Sequence, residues 1–290
     1  MDGNEKSSDE QNQKGLTKGV SLLIGDPKKA ILKLSGPMIV AMLILAAYNL
    51  VNAVWVSGLG SDALAAVGFV SPIFMVVVGL SHGLGAGVSS AISRRIGARD
   101  KSGADNITVH AMFIMIIVSV ILTLVLLYFL EPMLVVMGAG VALDLAVEYG
   151  NIVFAGSILI VFTNTAYAIL GGEGDTKRTM YAMGAGSLIN VILDPILIYW
   201  AGLGIAGAAW GTIISLFLVS AVQIYWLLIK KDTYVSLSWK AFTPSMDVMT
   251  DILQVGIPAS LEFLLYSIDA IIINSMLVRV SGTDAVAVYT

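Results

Sequence analysis

Asn190 and Asp194 stand one helical turn apart in the run Ser187-Leu188-Ile189-Asn190-Val191-Ile192-Leu193-Asp194-Pro195. That spacing puts a carboxamide and a carboxylate on the same helix face. Pro195 has no amide hydrogen and strains the turn before it, so carbonyl oxygens around residues 191 and 192 are expected to be freed. A carboxylate, an amide and loosened carbonyls together suit a proton or a hard cation such as sodium. A kink capped against a neighbour's polar group would use the same residues. Glu262 and Asp269 lie two helical turns apart and share a face, which fits the wall of a water-filled cleft. Glu262 equally suits a solvated position near a helix end. Tyr48, Asn49 and Asn52, at helical spacing, and Asn164 offer hydrogen bonds either to a ligand or to a neighbouring helix. His82 and His110 are candidates to carry protons, although neither has a carboxylate close by in the chain.

The elements that must position these residues belong to a membrane. The chain is 57% hydrophobic and 12% charged, whereas roughly 25% of residues are charged in an ordinary soluble domain. Seven stretches are apolar for about 20 residues, the length that crosses a bilayer as a helix. They lie near residues 36–58, 65–91, 107–130, 145–170, 179–200, 208–230 and 252–279, which predicts an all-α integral membrane protein, a polytopic helical bundle. An ionisable side chain inside such a span costs about 2.5 to 3.5 kcal/mol on insertion scales, so Asp194 and the seventh-span acids need a reason to be there. There is no cysteine, and hence no disulfide framework and no thiol nucleophile. No nucleotide loop, zinc-binding pair or Ser/His/Asp arrangement stands at recognisable spacing, so neither an enzyme nor a bound cofactor is expected beyond a coupling ion, Na+ or H+. A membrane-embedded acid/base pair of Glu262 and Asp269 would lack a nucleophile or metal cluster. A nucleic-acid partner has no support in a chain of net charge -4. The glycines of the second span, Gly79, Gly83, Gly85 and Gly87, read as a close-packing face for a neighbouring helix.

Basic residues set the orientation. Every Lys and Arg except Arg279 falls before the first span or in the loops after the second, fourth and sixth. Short loops rich in Lys and Arg stay on the inner side, so a cytoplasmic N-terminus in a multi-pass protein of the cell (plasma) membrane is expected. Residues 1–25 read as a disordered cytoplasmic tail, 26–230 as a six-helix bundle, 231–251 as a cytoplasmic linker, and 252–290 as the first helix of an incomplete second bundle. The last assignment rests on a repeat. Gly60-Ser61-Asp62-Ala63-Leu64-Ala65 is echoed by Gly282-Thr283-Asp284-Ala285-Val286-Ala287, and Ile31-Leu32 with Pro37 by Ile252-Leu253 with Pro258. Copies separated by six spans enter from the same side, the parallel arrangement found in some secondary transporters.

Several of these segments resemble a known family. Leu170-Gly171-Gly172-Glu173-Gly174-Asp175-Thr176-Lys177, Asn190-Val191-Ile192-Leu193-Asp194-Pro195 and Gly204-Ile205-Ala206-Gly207-Ala208-Ala209 are similar to the fourth-to-sixth helix signature of multidrug and toxic compound extrusion (MATE) transporters. Tyr48-Asn49-Leu50-Val51-Asn52 and Gly256-Ile257-Pro258 fit the same pattern. The resemblance implies two six-helix bundles around a cleft, exporting drug-like or organic cationic small molecules in exchange for Na+ or H+. It implies a cation site of Tyr48, Asn52, Asn190, Asp194 and Thr212, with sodium held at Asp194, Asn190 and Thr212. The family usually has aspartate where this chain has Asn52, so one carboxylate stands where two are expected, and the seventh-helix acid Glu262 is left with more to do. The competing expectations are a flippase for lipid-linked oligosaccharide, or a truncated, non-transporting fragment that pairs with a second half-length chain. A basic cleft would favour the flippase, and the spans carry almost no Lys or Arg.

Overall fold

Lipid offers no partner for backbone N–H and C=O groups, so a spanning segment must satisfy them internally, as a helix does. The computed structural model describes residues 17–230, 232–237, 242–281, 285 and 289. It contains α1 (Lys18–Leu23), α2 (Pro27–Ser57), α3 (Ser61–Gly97), α4 (Lys101–Met137), α5 (Leu143–Ala155), α6 (Ser157–Gly172), α7 (Thr176–Pro195), α8 (Gly204–Ile224) and α9 (Met246–Ser281). Two π-helical turns, Ile196–Trp200 and Tyr225–Lys230, extend α7 and α8. Aspartates start three of the helices. The side chain of Asp26 accepts from the Lys28 amide, Asp100 from Gly103 and Asp175 from Arg178, each serving a first-turn N–H that has no partner within its helix.

Among the described residues, six helices are individually long and apolar enough to cross a membrane. The expected fourth span is a broken one: α5 and α6 meet at a 49° bend. Gly156 sits at the break, where an added Cβ would run into the side chain of Ile213 on α8. Hydropathy does not register such a bend, because both halves are equally apolar.

Helix α3 lies at the centre of the bundle, packed against α4, α5, α6 and α9. Its glycine face takes α9 closely, since a Cβ at Gly83 would strike Ser260 and the Gly256 carbonyl, and one at Gly87 would strike the Ile252 carbonyl. Asn274 Nδ2 donates to the Gly68 carbonyl at 3.0 Å, and Arg94 pairs with Asp251 at 3.6 Å, fixing both ends of this contact. Helix α2 packs mainly along α7.

Two expected boundaries move. Of the predicted disordered tail, residues 1–16 lie outside the described residues, but Lys18–Leu23 is helical, with Val20 fully buried. Gly19 there lies backbone to backbone against Gly174, which is why neither position has room for a side chain. The linker expected over residues 231–251 ends at Met246, where α9 begins. Its described residues are docked to the bundle rather than loose. Ser236 donates to Asp105 from its amide at 2.7 Å and from its hydroxyl at 2.8 Å. Asn106 and the Thr243 backbone exchange two bonds at 3.1 and 3.2 Å. Of the second copy of the sequence repeat, Ile252, Leu253 and Pro258 lie in α9, whereas residues 282–287 fall largely outside the described residues.

Candidate cation site

Asn190 and Asp194 share the face of α7 that meets α8, and both are buried, at 2% and 0% exposure. Two features of α8 make room for them. Gly211 presents no side chain, and a Cβ there would collide with Asp194 Oδ1 and come within 3.7 Å of Asn190 Nδ2. Next to it Thr212, and one turn along Ser215, turn hydroxyls inward, accepting from Asn190 Nδ2 at 3.4 and 3.5 Å. From α2, Tyr48 faces Thr212 and Asp194, and Asn52 buries its Oδ1. Tyr149 of α5 completes the group beside Tyr48 and Asp194. The helix face read from sequence is thus the face that closes the site.

The chemistry of the cluster depends on which atoms lack partners. Both carboxylate oxygens of Asp194, the Oδ1 of Asn190 and the Oδ1 of Asn52 are buried, and none accepts a hydrogen bond from the described residues. Each unsatisfied buried polar group costs roughly 1–3 kcal/mol, and more when charged. All four are acceptors, so a proton or a cation satisfies them. The donor set is one carboxylate, the Asn190 amide oxygen and hydroxyls, with the buried Asn52 oxygen one turn from Tyr48 on α2; these are hard oxygens that fit sodium as well as a proton. Among the described residues, no three His, Asp or Glu side chains come together as a polyacidic metal centre. Pro195 leads directly into the π turn 196–200, in which the Ala201 amide reaches back to the Ile196 carbonyl at 2.8 Å. The break at the proline therefore takes the form of a widened turn just beyond Asp194.

The remaining candidates stand elsewhere. Glu262 and Asp269 are exposed on the face of α9 turned away from α3, and neither joins the Asp194 cluster. Asn164 donates to the Ile160 carbonyl at 2.9 Å within its own helix. Asn49 is exposed, and His82 lies exposed against the ring of Phe263. His110 spends both ring nitrogens on the loop before α9 and its own helix: Nε2 accepts from the Ser245 amide at 3.2 Å, and Nδ1 meets the Asn106 carbonyl at 2.9 Å. It holds a loop in place and has no carboxylate partner among the described residues. Sequence reasoning missed Tyr149, Gly211 and Ser215. Gly211 and Ser215 carried a signal, lying one turn apart beside Thr212 in an apolar span, whereas a tyrosine in a span carries none.

A second polar cluster marks the end of the bundle that carries the basic residues. Glu173, 1% exposed, caps α6 and accepts from the Val235 amide at 3.1 Å. Burial pushes its carboxyl up to about 7, against the pull of the Val235 and Tyr234 amides. Arg178 joins Asp175 at 3.3 Å and Asp232 at 2.6 Å, tying the same loop to the start of α7.

Known proteins share much of this sequence and geometry. The family model described as MatE matches residues 37–196. The multidrug export protein MepA of Staphylococcus aureus (strain NCTC 8325 / PS 47) is 29% identical over 263 residues, covering 90% of this chain and 58% of the relative. A solved structure described as the outward-facing conformation of a multidrug resistance MATE family transporter of the MOP superfamily is 48% identical, with a TM-score of 0.88, over 94% of this chain and 61% of that one. The same figures hold for a MOP superfamily transporter from Pyrococcus furiosus Vc1, described with a binding pocket of reverse polarity that suggests a different function. The chain thus spans about three-fifths of the length of these relatives. The matched region contains α3 to α7 with most of α2, and so includes Tyr48, Asn52, Asn190 and Asp194. This chain belongs to the MatE family, a family of membrane transporters.

Proposed function

We propose that this chain forms the ion-coupling part of a secondary active transporter that exports drug-like or organic cationic compounds in exchange for Na+ or H+. The observation that carries the reading is the set of buried, unpartnered acceptors at Asp194, Asn190 and Asn52. A cation held by the Asp194 carboxylate, with Asn190 Oδ1 and Thr212 Oγ1, neutralises the only buried charge of the cluster. Asn52 adds a ligand from α2 but takes up no proton, so Asp194 alone changes charge. Occupation draws α2 and α7 together through ligands on both, and release leaves a bare carboxylate that favours their separation. This is the differential interaction that alternating access requires. A cationic substrate is consistent with acidic groups in the spans, including Glu262 and Asp269 on the open face of α9. The names of relatives that export several drugs support the substrate class. A flippase of acidic lipid-linked sugars would want a basic surface that these spans lack.

Placed by its basic loops, the protein spans the cell membrane with its N-terminus in the cytoplasm. The exposed acidic face of α9 is covered by a second bundle or by a second half-length chain. The test is efflux of a fluorescent organic cation from cells under an imposed Na+ or H+ gradient. Asp194→Asn is expected to abolish gradient-driven efflux. Unimpaired efflux would remove Asp194 from the mechanism.

A further inference from the structure

Beyond the cation site, toward the end of the bundle poor in basic residues, α2 and the π turn of α7 are fastened to each other. The Leu59 amide turns to the Val56 carbonyl at 3.0 Å, so the Trp55 carbonyl is left without its usual helical partner. Tyr199 fills that gap, its hydroxyl donating to Trp55 O at 2.5 Å. The two rings meet edge to face with centroids 6.4 Å apart. Gly58 provides the space, because a Cβ there would collide with the Tyr199 hydroxyl. The extra residue of the π turn displaces the residues after Pro195 by one position relative to a regular helix. Ile198 consequently points inward, at 2% exposure, and Tyr199 lies on Trp55. Gly207 lets α8 press its backbone onto this turn at Leu197 and Ile198. Under the fastening, Val56, Ile198 and Ala208 form a small apolar cluster of their own, with Leu59, Leu64, Val67 and Tyr149 packed around it. Tyr149 also belongs to the Asp194 group, so this apolar cluster lies directly against the cation site.

We propose that Tyr199 is a positioning residue that holds this apolar seal shut, so that the Asp194 site is closed from the membrane face carrying Trp55 and opens only when the Tyr199–Trp55 bond is released. This deepens the transporter reading and rests on it, since a seal matters only for a site that exchanges an ion with one side at a time. Site and seal move together because Asn52 and Trp55 are less than one turn apart on α2, and Asp194 and Tyr199 are one widened turn apart on α7.

The chain contains no cysteine, so a single Ala208→Cys reporter in the full chain, reconstituted in lipid vesicles, reads the seal directly. A membrane-impermeant, charged thiol reagent is added from the Trp55 side. Tyr199→Phe keeps the ring and removes the hydroxyl, and it is expected to speed labelling about fivefold, the change in open population expected from losing one hydrogen bond. Gly58→Ala, which displaces the hydroxyl, is expected to do the same. Combining the two should add little, since the space left by the missing hydroxyl accepts the new methyl group. A second reporter, Ala182→Cys, buried nearer the start of α7, is expected to stay protected in every variant. Labelling of Ala208→Cys within a factor of about two of the parent in both variants would overturn the proposal, as would equal exposure of both reporters, which would mean general loosening. No transport is needed for this result. Loss of efflux with the seal behaviour intact would instead count against the functional reading.

Discussion

Asp194 owes its place to a residue with no side chain. Gly211→Ala would put a methyl group onto Asp194 Oδ1, and the crowding is expected to cost about 1–3 kcal/mol and to disorder the carboxylate. Thermal unfolding of the purified protein checks the first effect and cation binding the second. Asn52→Asp is expected to add a titratable group and to raise the proton uptake of the site on acidification, measured in lightly buffered solution. Much of this cluster was legible in the sequence, because an ionisable residue in an apolar span is conspicuous and Asn190 stands at helical spacing from it. Tyr149 was not legible. It arrives from α5 through the packing of the broken fourth span, and no local pattern encodes that. Glu262 and Asp269 were equally conspicuous, yet they sit apart from Asp194, since spacing along one helix says nothing about which neighbour the face will meet.

Among the elements, the loop between α8 and α9 behaves as a strap. Asp105 and Asn106 on α4 and Glu173 at the end of α6 pair with its backbone, so it feeds α9 into the membrane from a fixed point. Its grip should depend on pH through Glu173. The docked carboxyl titrates near 7, raised from an ordinary value of 4.5. Between those values the docked form binds a proton that the undocked form does not, so docking strengthens as pH falls through 7 and weakens above it. The effect is worth roughly 3 kcal/mol at most. Hydrogen exchange at the Val235 amide, corrected for its intrinsic pH dependence, is expected to show greater protection in mild acid, and Glu173→Gln should flatten that trend. Asn106→Ala, which removes both bonds to Thr243, should loosen the strap at every pH. Hydropathy located the helices that this strap connects because lipid enforces length and apolarity. The strap itself carries no such periodicity, and its partners are distant in the chain, Glu173 lying 62 positions from Val235 and Asp105 and Asn106 more than a hundred from Ser236 and Thr243. The bend at Gly156 was hidden for a related reason, since glycine in an apolar span reads as a packing face until the neighbour, Ile213, is known.

The described residues form a six-span bundle with one further helix laid along α3. Its members divide the work: α3 to α6 supply a buried frame, and α2, α7 and α8 carry the side chains of the proposed cation site. Charge is divided in the same way, with basic residues gathered at the end where the strap docks, together with the buried carboxylates of Asp105 and Glu173, and Asp194 buried between α7 and α8. In the proposed function Asp194 is the group that takes and releases the coupling ion, and infrared difference spectroscopy of carboxyl bands tests this whichever ion is used. Spectra of the reconstituted Glu173→Gln chain would be recorded on raising the pH and on adding sodium, with and without Asp194→Asn. Loss of a buried, protonated carboxyl band is expected under one or both treatments, and no such change in Asp194→Asn. The same difference spectrum in both proteins would contradict it.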